Sequence, residues 1–395
     1  MPPTFGWLDT DSEQRRKMLE VVDLFREQGT IDELGIGVIR DTISELLFPG
    51  TSTLHRRLKY VLFIPWLMRE AGRRGTPEEM RAEFQRLEIR LIESLLAGGE
   101  YEGVIGNTAR DRLKLMPSSM YWSALGIWRL RSIDTLNGFF RRQYDLRALG
   151  RRAAVADDPE ARDDPPASGL DPELPATPPG LLESTDFVLT AEQEAYLSDR
   201  IVEGTSGTAL SWLVLNPPRT RAAYVWEIDN LGDIPPQVAE QIDHARRFSL
   251  AIAGSHQLYG LMLAERTQRP ELIEKYRTNL AGWQQEAAST GVIRTWDRGR
   301  FWHLIRTSNP RLRTPTQAFV DDWVNRVTTV DDITQDAGAR ALLERRERRI
   351  KGSRARLANQ SALDRWNGDG TMWQHSFRWP VTRSHLNDLV LARQT

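Results

Sequence analysis

Apolar residues recur at helical spacing along most of this chain. The clearest stretch is Glu33 to Trp66, ELGIGVIRDTISELLFPGTSTLHRRLKYVLFIPW. Ile36, Ile39, Ile43, Leu46 and Leu47 predict an amphipathic helix. Phe48-Pro49-Gly50 stops it, because Pro49 disfavours a helical Phe48 and Gly50 tolerates a turn. Thr51, Ser52 or Thr53 is placed to cap a second helix. That helix would carry His55, Arg56, Arg57 and Lys59, with Leu58, Val61, Leu62 and Ile64 on its apolar side. Two helices joined by a short glycine-containing turn, the second one basic, form a helix-turn-helix outline. An ordinary helical hairpin with a solvated basic face gives the same pattern.

The periodicity continues on both sides. Asp9, Thr10 or Ser12 caps a helix over SEQRRKMLEVVDLFREQG, which Gly29 ends. Thr76-Pro77 opens a helix that runs to Leu96 and closes at Gly98-Gly99. Asn107 to Leu115 reads as a basic helix, and Pro117-Ser118-Ser119 starts another. Thr190 and Gln193 make a capping-box pattern, and a short apolar run spans Thr208 to Leu215. Val238 to Arg266 is a long helix, apolar enough to be the core of the second half. Further helices are expected near 270–287 and 314–326. The end, MWQHSFRWPVTRSHLNDLVL, reads as a short strand and a closing helix that would complete a winged element. The expected fold is mainly α with short β elements, in two lobes, with helix-turn-helix or winged-helix-like DNA-binding elements.

Between the lobes the pattern fails. Residues 153–186 hold seven prolines and many acids, which suits a linker better than a packed core. The expected organisation is a helical domain over 1–152, a linker over 153–186 and a second helical domain over 187–395.

Composition narrows the class. At 395 residues the chain has room for two or three cores. It has no cysteine, which removes disulfides and thiolate-bound metals and fits a reducing cytoplasm. No apolar run reaches membrane-spanning length, and the first residues lack the order of a signal peptide. The six histidines form neither HxxxH nor HExxH, so neither a metal nor another cofactor is expected. The net charge of -1 hides basic stretches at 53–74 and 340–356 and an acidic one at 157–186. A local patch sets the field a ligand meets, so nucleic acid remains an open partner.

In the basic stretches and the basic helix over 107–115, Arg56, Arg57, Lys59, Arg110, Lys114, Lys351, Arg354 and Arg356 are candidate phosphate contacts. Tyr60, Tyr121 and Trp122 are candidate stacking or wedge residues on double-stranded DNA. Solvated helix faces and aromatics packed in a core would look the same. The motifs of the common nucleases are missing: no Asp followed by Glu-x-Lys, no His-Asn-His grouping, no HKD.

Several segments together resemble a known family. They are FGWLD at 5–9, ELGIGVIRD at 33–41, FPGTST at 48–53, LFIPW at 62–66, LKLMPSSMYWSAL at 113–125, IKGSRARL at 350–357 and the late Arg378-Trp379-Pro380. The family is a bacterial domain of unknown function found in phage-defence neighbourhoods, and LFPGTST followed by LFIPW is its most specific part. The resemblance spans nearly the whole chain outside 153–183. It extends to an anti-phage DNA glycosylase, which implies excision of an α-glucosylated hydroxymethylcytosine from phage DNA to leave abasic sites. The alternative is a non-catalytic DNA-binding component of a defence system. No catalytic motif carries over residue by residue.

A monofunctional glycosylase extrudes a nucleotide and needs an acidic side chain beside the cationic sugar. Asp41 and Glu45 lie four apart on one helical face with Arg40 adjacent, and are the first catalytic candidates. Asp9, Asn107 and Glu227 stand in reserve. For either Asp41 or Glu45 alone a surface salt-bridge pattern is the stronger explanation, and a helix cap explains Asp9.

Overall fold

The computed structural model describes residues 32–156, 168–229, 231–368 and 374–394. The expected helix over 12–29 and the reserve candidate Asp9 lie outside them, as does 157–167 of the expected linker. In chain order the helices are α1 (Gly37–Leu47), α2 (Tyr60–Ala71), α3 (Pro77–Ala97), α4 (Pro117–Ile127), α5 (Leu136–Ala156), α6 (Ala191–Gly204) and α7 (Ala209–Leu215). They continue with α8 (Pro236–Arg266), α9 (Pro270–Thr290), α10 (Arg298–Ser308), α11 (Thr314–Thr329), α12 (Ala337–Lys351), α13 (Gln360–Leu363) and α14 (Trp379–Ala392). The protein is mainly helical. The β structure among the described residues is one isolated bridge, Arg131 with Leu170. The expected terminal strand is absent from 374–378, while its closing helix is α14. Among the described residues no helix is long and apolar enough to cross a membrane.

The chain forms two compact units, neither continuous in sequence. Among the described residues, unit 1 comprises those of 48–221 and 378–394, and unit 2 those of 32–47 and 222–377.

Unit 1 is built around α2, in which every residue but Arg69 and Glu70 is buried. A helix apolar on all sides belongs in a core. It packs on α3 and α4, α3 packs on α5, and α14 closes over α6 and α7. Gly50 shows why the turn before it needs glycine. Its φ is +82°, and a Cβ there would lie 2.7 Å from the Trp128 indole nitrogen, which donates to the Pro49 carbonyl. Residues 168–186, expected as linker, belong to this unit. Leu170, Leu174 and Leu181 are buried, Trp66 donates to the Pro175 carbonyl, and Ser94 on α3 donates to that of Leu181.

Unit 2 is built around α8, buried without interruption from Phe248 to Ala264. Helices α1, α9, α11 and α12 pack against it. Gly254 lets α9 approach, since a Cβ would fall 2.3 Å from the Trp283 ring.

The helix-turn-helix outline is corrected. Its second helix starts at Tyr60, not near Thr53, and its two helices fall in different units. His55, Arg56, Arg57 and Lys59 precede α2 instead of riding on it. The physical reason is where the backbone donors go. Arg56 N–H donates to the Tyr121 hydroxyl (2.7 Å) and Leu58 N–H to the Asp388 carboxylate (2.9 Å), bonds that a helical turn would have claimed. The basic helix expected over 107–115 is a single 3-10 turn, Arg110–Arg112, with Arg110 at φ 49°.

Candidate functional site

Helix α12 carries the densest run of arginines, and the fold divides them. Asp336 caps the helix by accepting from Ala339 N–H, and Gly352 ends it. One side turns inward. Glu347 is fully buried and Glu33, ahead of α1, nearly so. Lys351 bonds both carboxylates and Arg356 bonds Glu33. Tyr259 on α8 donates to Glu347 at 2.5 Å, and the backbone N–H groups of Arg356 and Leu357 donate to the same carboxylate at 2.9 Å. Burial alone would raise the Glu347 carboxyl, but the Tyr259 hydroxyl and the Lys351 charge hold it below its usual value. Burial, reinforced by the negative charges of Glu33 and Glu347, pushes the Tyr259 hydroxyl up. Arg346 is equally committed: it donates to the carbonyls of Leu34, Gly35 and Pro315 and to Thr316 Oγ1.

The other side faces solvent. Arg345, Arg348 and Arg349 are exposed at helical spacing, and Arg354 is exposed in the turn beyond. Arg348 pairs with Glu344 at 3.2 Å, whereas Arg345, Arg349 and Arg354 pair with no described carboxylate.

Of the candidate phosphate contacts, then, Lys351 and Arg356 serve an internal network and Arg354 is available. Unit 1 engages more of them in internal contacts. Arg57 pairs with Asp388 at 3.0 Å, and Lys59 is buried against Asp186 and the Val188 carbonyl. Burial lowers the Lys59 ammonium, and the Asp186 charge works against that. Tyr60 and Tyr121 are core residues, not wedges. Tyr60 accepts from Ile105 N–H, and Tyr121 donates to the Arg57 carbonyl while stacking on His55 at 4.0 Å. Trp122 is half-buried, donates to the Asp134 carbonyl and lies under the Arg131 guanidinium at 4.2 Å. Arg56, Arg110 and Lys114 remain exposed.

The carboxylate candidates are not enclosed. Asp41 is exposed and bonded by Arg40 at 3.0 Å, and Glu45 is half-buried one turn on. Glu227 accepts the N–H groups of Ala223 and Tyr224, and Asn107 donates to the Tyr101 carbonyl, so both hold turns.

Sequence reading missed the acids that matter most electrostatically. Glu88 on α3 is buried with Ser118, and its neighbours in sequence give no sign of it. Glu347 and Lys351 are spaced as a helical ion pair, a signal that was readable, but their burial was not. Among the described residues no three of His, Asp and Glu gather as a metal would require.

No curated protein matches this chain, and no solved structure does. One family model matches residues 3–393, nearly the full length. The chain thus belongs to the family of unknown function DUF6361.

Proposed function

We propose that this chain binds double-stranded DNA in the bacterial cytoplasm as part of phage defence. In this reading it acts as a DNA glycosylase that removes a glucosylated hydroxymethylcytosine and leaves an abasic site. The observation that carries the DNA-binding part is the solvent side of α12 and the turn beyond it, where Arg345, Arg349 and Arg354 pair with no described carboxylate while the inward Arg346, Glu347 and Lys351 are all bonded within unit 2. Unpaired exposed guanidinium groups at helical spacing suit a row of phosphates and release counterions on binding. The excision chemistry rests on the sequence resemblance, with Asp41 and Glu45 as its carboxylates. A non-catalytic DNA-binding component is the second reading, and the openness of Asp41, bonded by its own neighbour Arg40, favours it.

The test is to incubate the purified chain with glucosylated phage DNA and with unmodified DNA, then treat both with alkali. Strand breaks that appear only after alkali, and only in the modified DNA, are expected for excision. Retarded but intact DNA in both samples would leave the binding role and remove the enzymatic one.

A further inference from the structure

A cleft of about 290 Å³ opens in unit 2 where α8 ends. Residues 266–269, which end α8 and lead into α9, line it together with Gln360, Leu363 and Asp364. Small-molecule sites start at about 300 Å³, so the space suits one compact polar unit.

Its cations are held in place by other groups. Arg266 donates to the Leu357 carbonyl and approaches Glu344 at 3.7 Å. The Arg269 guanidinium lies over the buried Trp366 ring, 5.8 Å from its centre. Each retains N–H donors beyond these contacts, because a guanidinium has five. Helix α9 begins at the cleft, directly after Arg269, with no side chain capping it, so the positive end of its dipole adds to theirs. Gln360 donates to Asp364 at 2.8 Å, which leaves the second carboxylate oxygen and an amide oxygen as acceptors. Fixed cations and acceptors lining one cleft match a phosphate joined to hydroxyl-bearing carbon.

We propose that this cleft binds a sugar phosphate. Arg266 at the cleft and Arg348 on the solvent side of α12 both approach Glu344 Oε1, at 3.7 and 3.2 Å, so the cleft adjoins that side of the helix. The source assigned is a nucleotide unit of a bound strand, which rests on the DNA-binding reading above.

The experiment titrates the full-length chain with deoxycytidine monophosphate, inorganic phosphate, an eight-nucleotide single strand and a duplex. The variants are Gln360→Trp, which fills the cleft from an exposed position, and Asp364→Asn. The nucleotide or the single strand should bind at least tenfold more tightly than phosphate, and Gln360→Trp should weaken it at least tenfold. Tighter binding of the strand than of the mononucleotide identifies a strand unit; the reverse identifies a free nucleotide and removes the bound strand as its source. Equal affinity for phosphate, or both variants within twofold of the parent, overturns the cleft. Duplex binding that persists in that case leaves the DNA-binding reading intact. Nucleotide binding without any duplex binding removes the DNA-binding reading and leaves the cleft. Thermal melting of each variant confirms that it is folded.

Discussion

Glu88 shows how far one residue's surroundings can move its chemistry. It lies fully inside unit 1, bonded by the Ser118 N–H at 2.8 Å and the Ser118 hydroxyl at 3.1 Å. Burial pushes its carboxyl up to about 7, and the two Ser118 bonds only partly oppose that. The folded state therefore holds a proton that the unfolded chain has released at neutral pH. The stability tied to that proton is complete below the unfolded value of 4.5 and is lost as pH rises through about 7. The shift corresponds to about 3 kcal/mol at most. Glu88→Gln keeps an acceptor for Ser118 and cannot ionise, so it should be more stable than the parent at pH 8 and close to it at pH 5. The buried histidines act in the opposite sense: burial pushes His55 down to about 3 and His256 to about 4, so they favour the fold above their unfolded value. Urea unfolding of both proteins at both pH values isolates Glu88, because the histidines cancel in the difference. A variant no more stable than the parent at pH 8 would show that Glu88 ionises at no cost.

At the scale of elements, periodicity and caps were legible where they met no competitor. The capping boxes of Thr76 with Glu79 and Thr190 with Gln193 open α3 and α6 as expected, and α8 is the core helix its apolar content predicted. Helices α5 and α10 were not foreseen. The segment 51–59 misled because its cations were read as surface, while Arg57 and Lys59 answer acids more than a hundred residues away, Asp388 and Asp186. A chain read locally cannot supply such partners. The same limit applies to α12, whose arginines could be counted but not sorted. Replacing Arg345, Arg349 and Arg354 with alanine should leave the melting temperature nearly unchanged, since exposed unpaired groups add little stability. It should also lower the slope of log affinity against log salt for duplex DNA by about 2 to 3. Arg356→Ala should do the reverse, destabilising the fold by about 3 kcal/mol because Glu33 loses a partner inside unit 2. Filter binding at several salt concentrations, with melting curves alongside, separates the two. An unchanged slope in the triple variant would make that side of α12 a solvated face.

At the scale of the whole molecule, what matters is how the chain is threaded. Proline and acid content marked 153–186 as the place to divide it, yet among the described residues the compact units change over at 47/48, 221/222 and 377/378. Composition reports what a segment contains. Burial depends on what returns to it later, and Leu170 and Leu174 are covered within unit 1 despite the prolines around them. A fragment of residues 187–395 therefore lacks 32–47, which unit 2 uses. Without Glu33 the ion pairs of Lys351 and Arg356 lose a buried carboxylate, and without the carbonyls of Leu34 and Gly35 the buried Arg346 loses half its acceptors. Removing one partner of a buried charge pair costs about 3 to 5 kcal/mol, and a domain's whole stability is about 5 to 15 kcal/mol. A fragment of residues 1–186 fails in the same way, because Asp388 on α14, which holds Arg57 and the Leu58 N–H, is gone. Neither fragment should show a cooperative thermal transition by circular dichroism. Mixing the two, with every partner present again, should restore one. Cooperative melting of 187–395 alone would mean that unit 2 does not need α1 and that the division at the acidic segment is the real one.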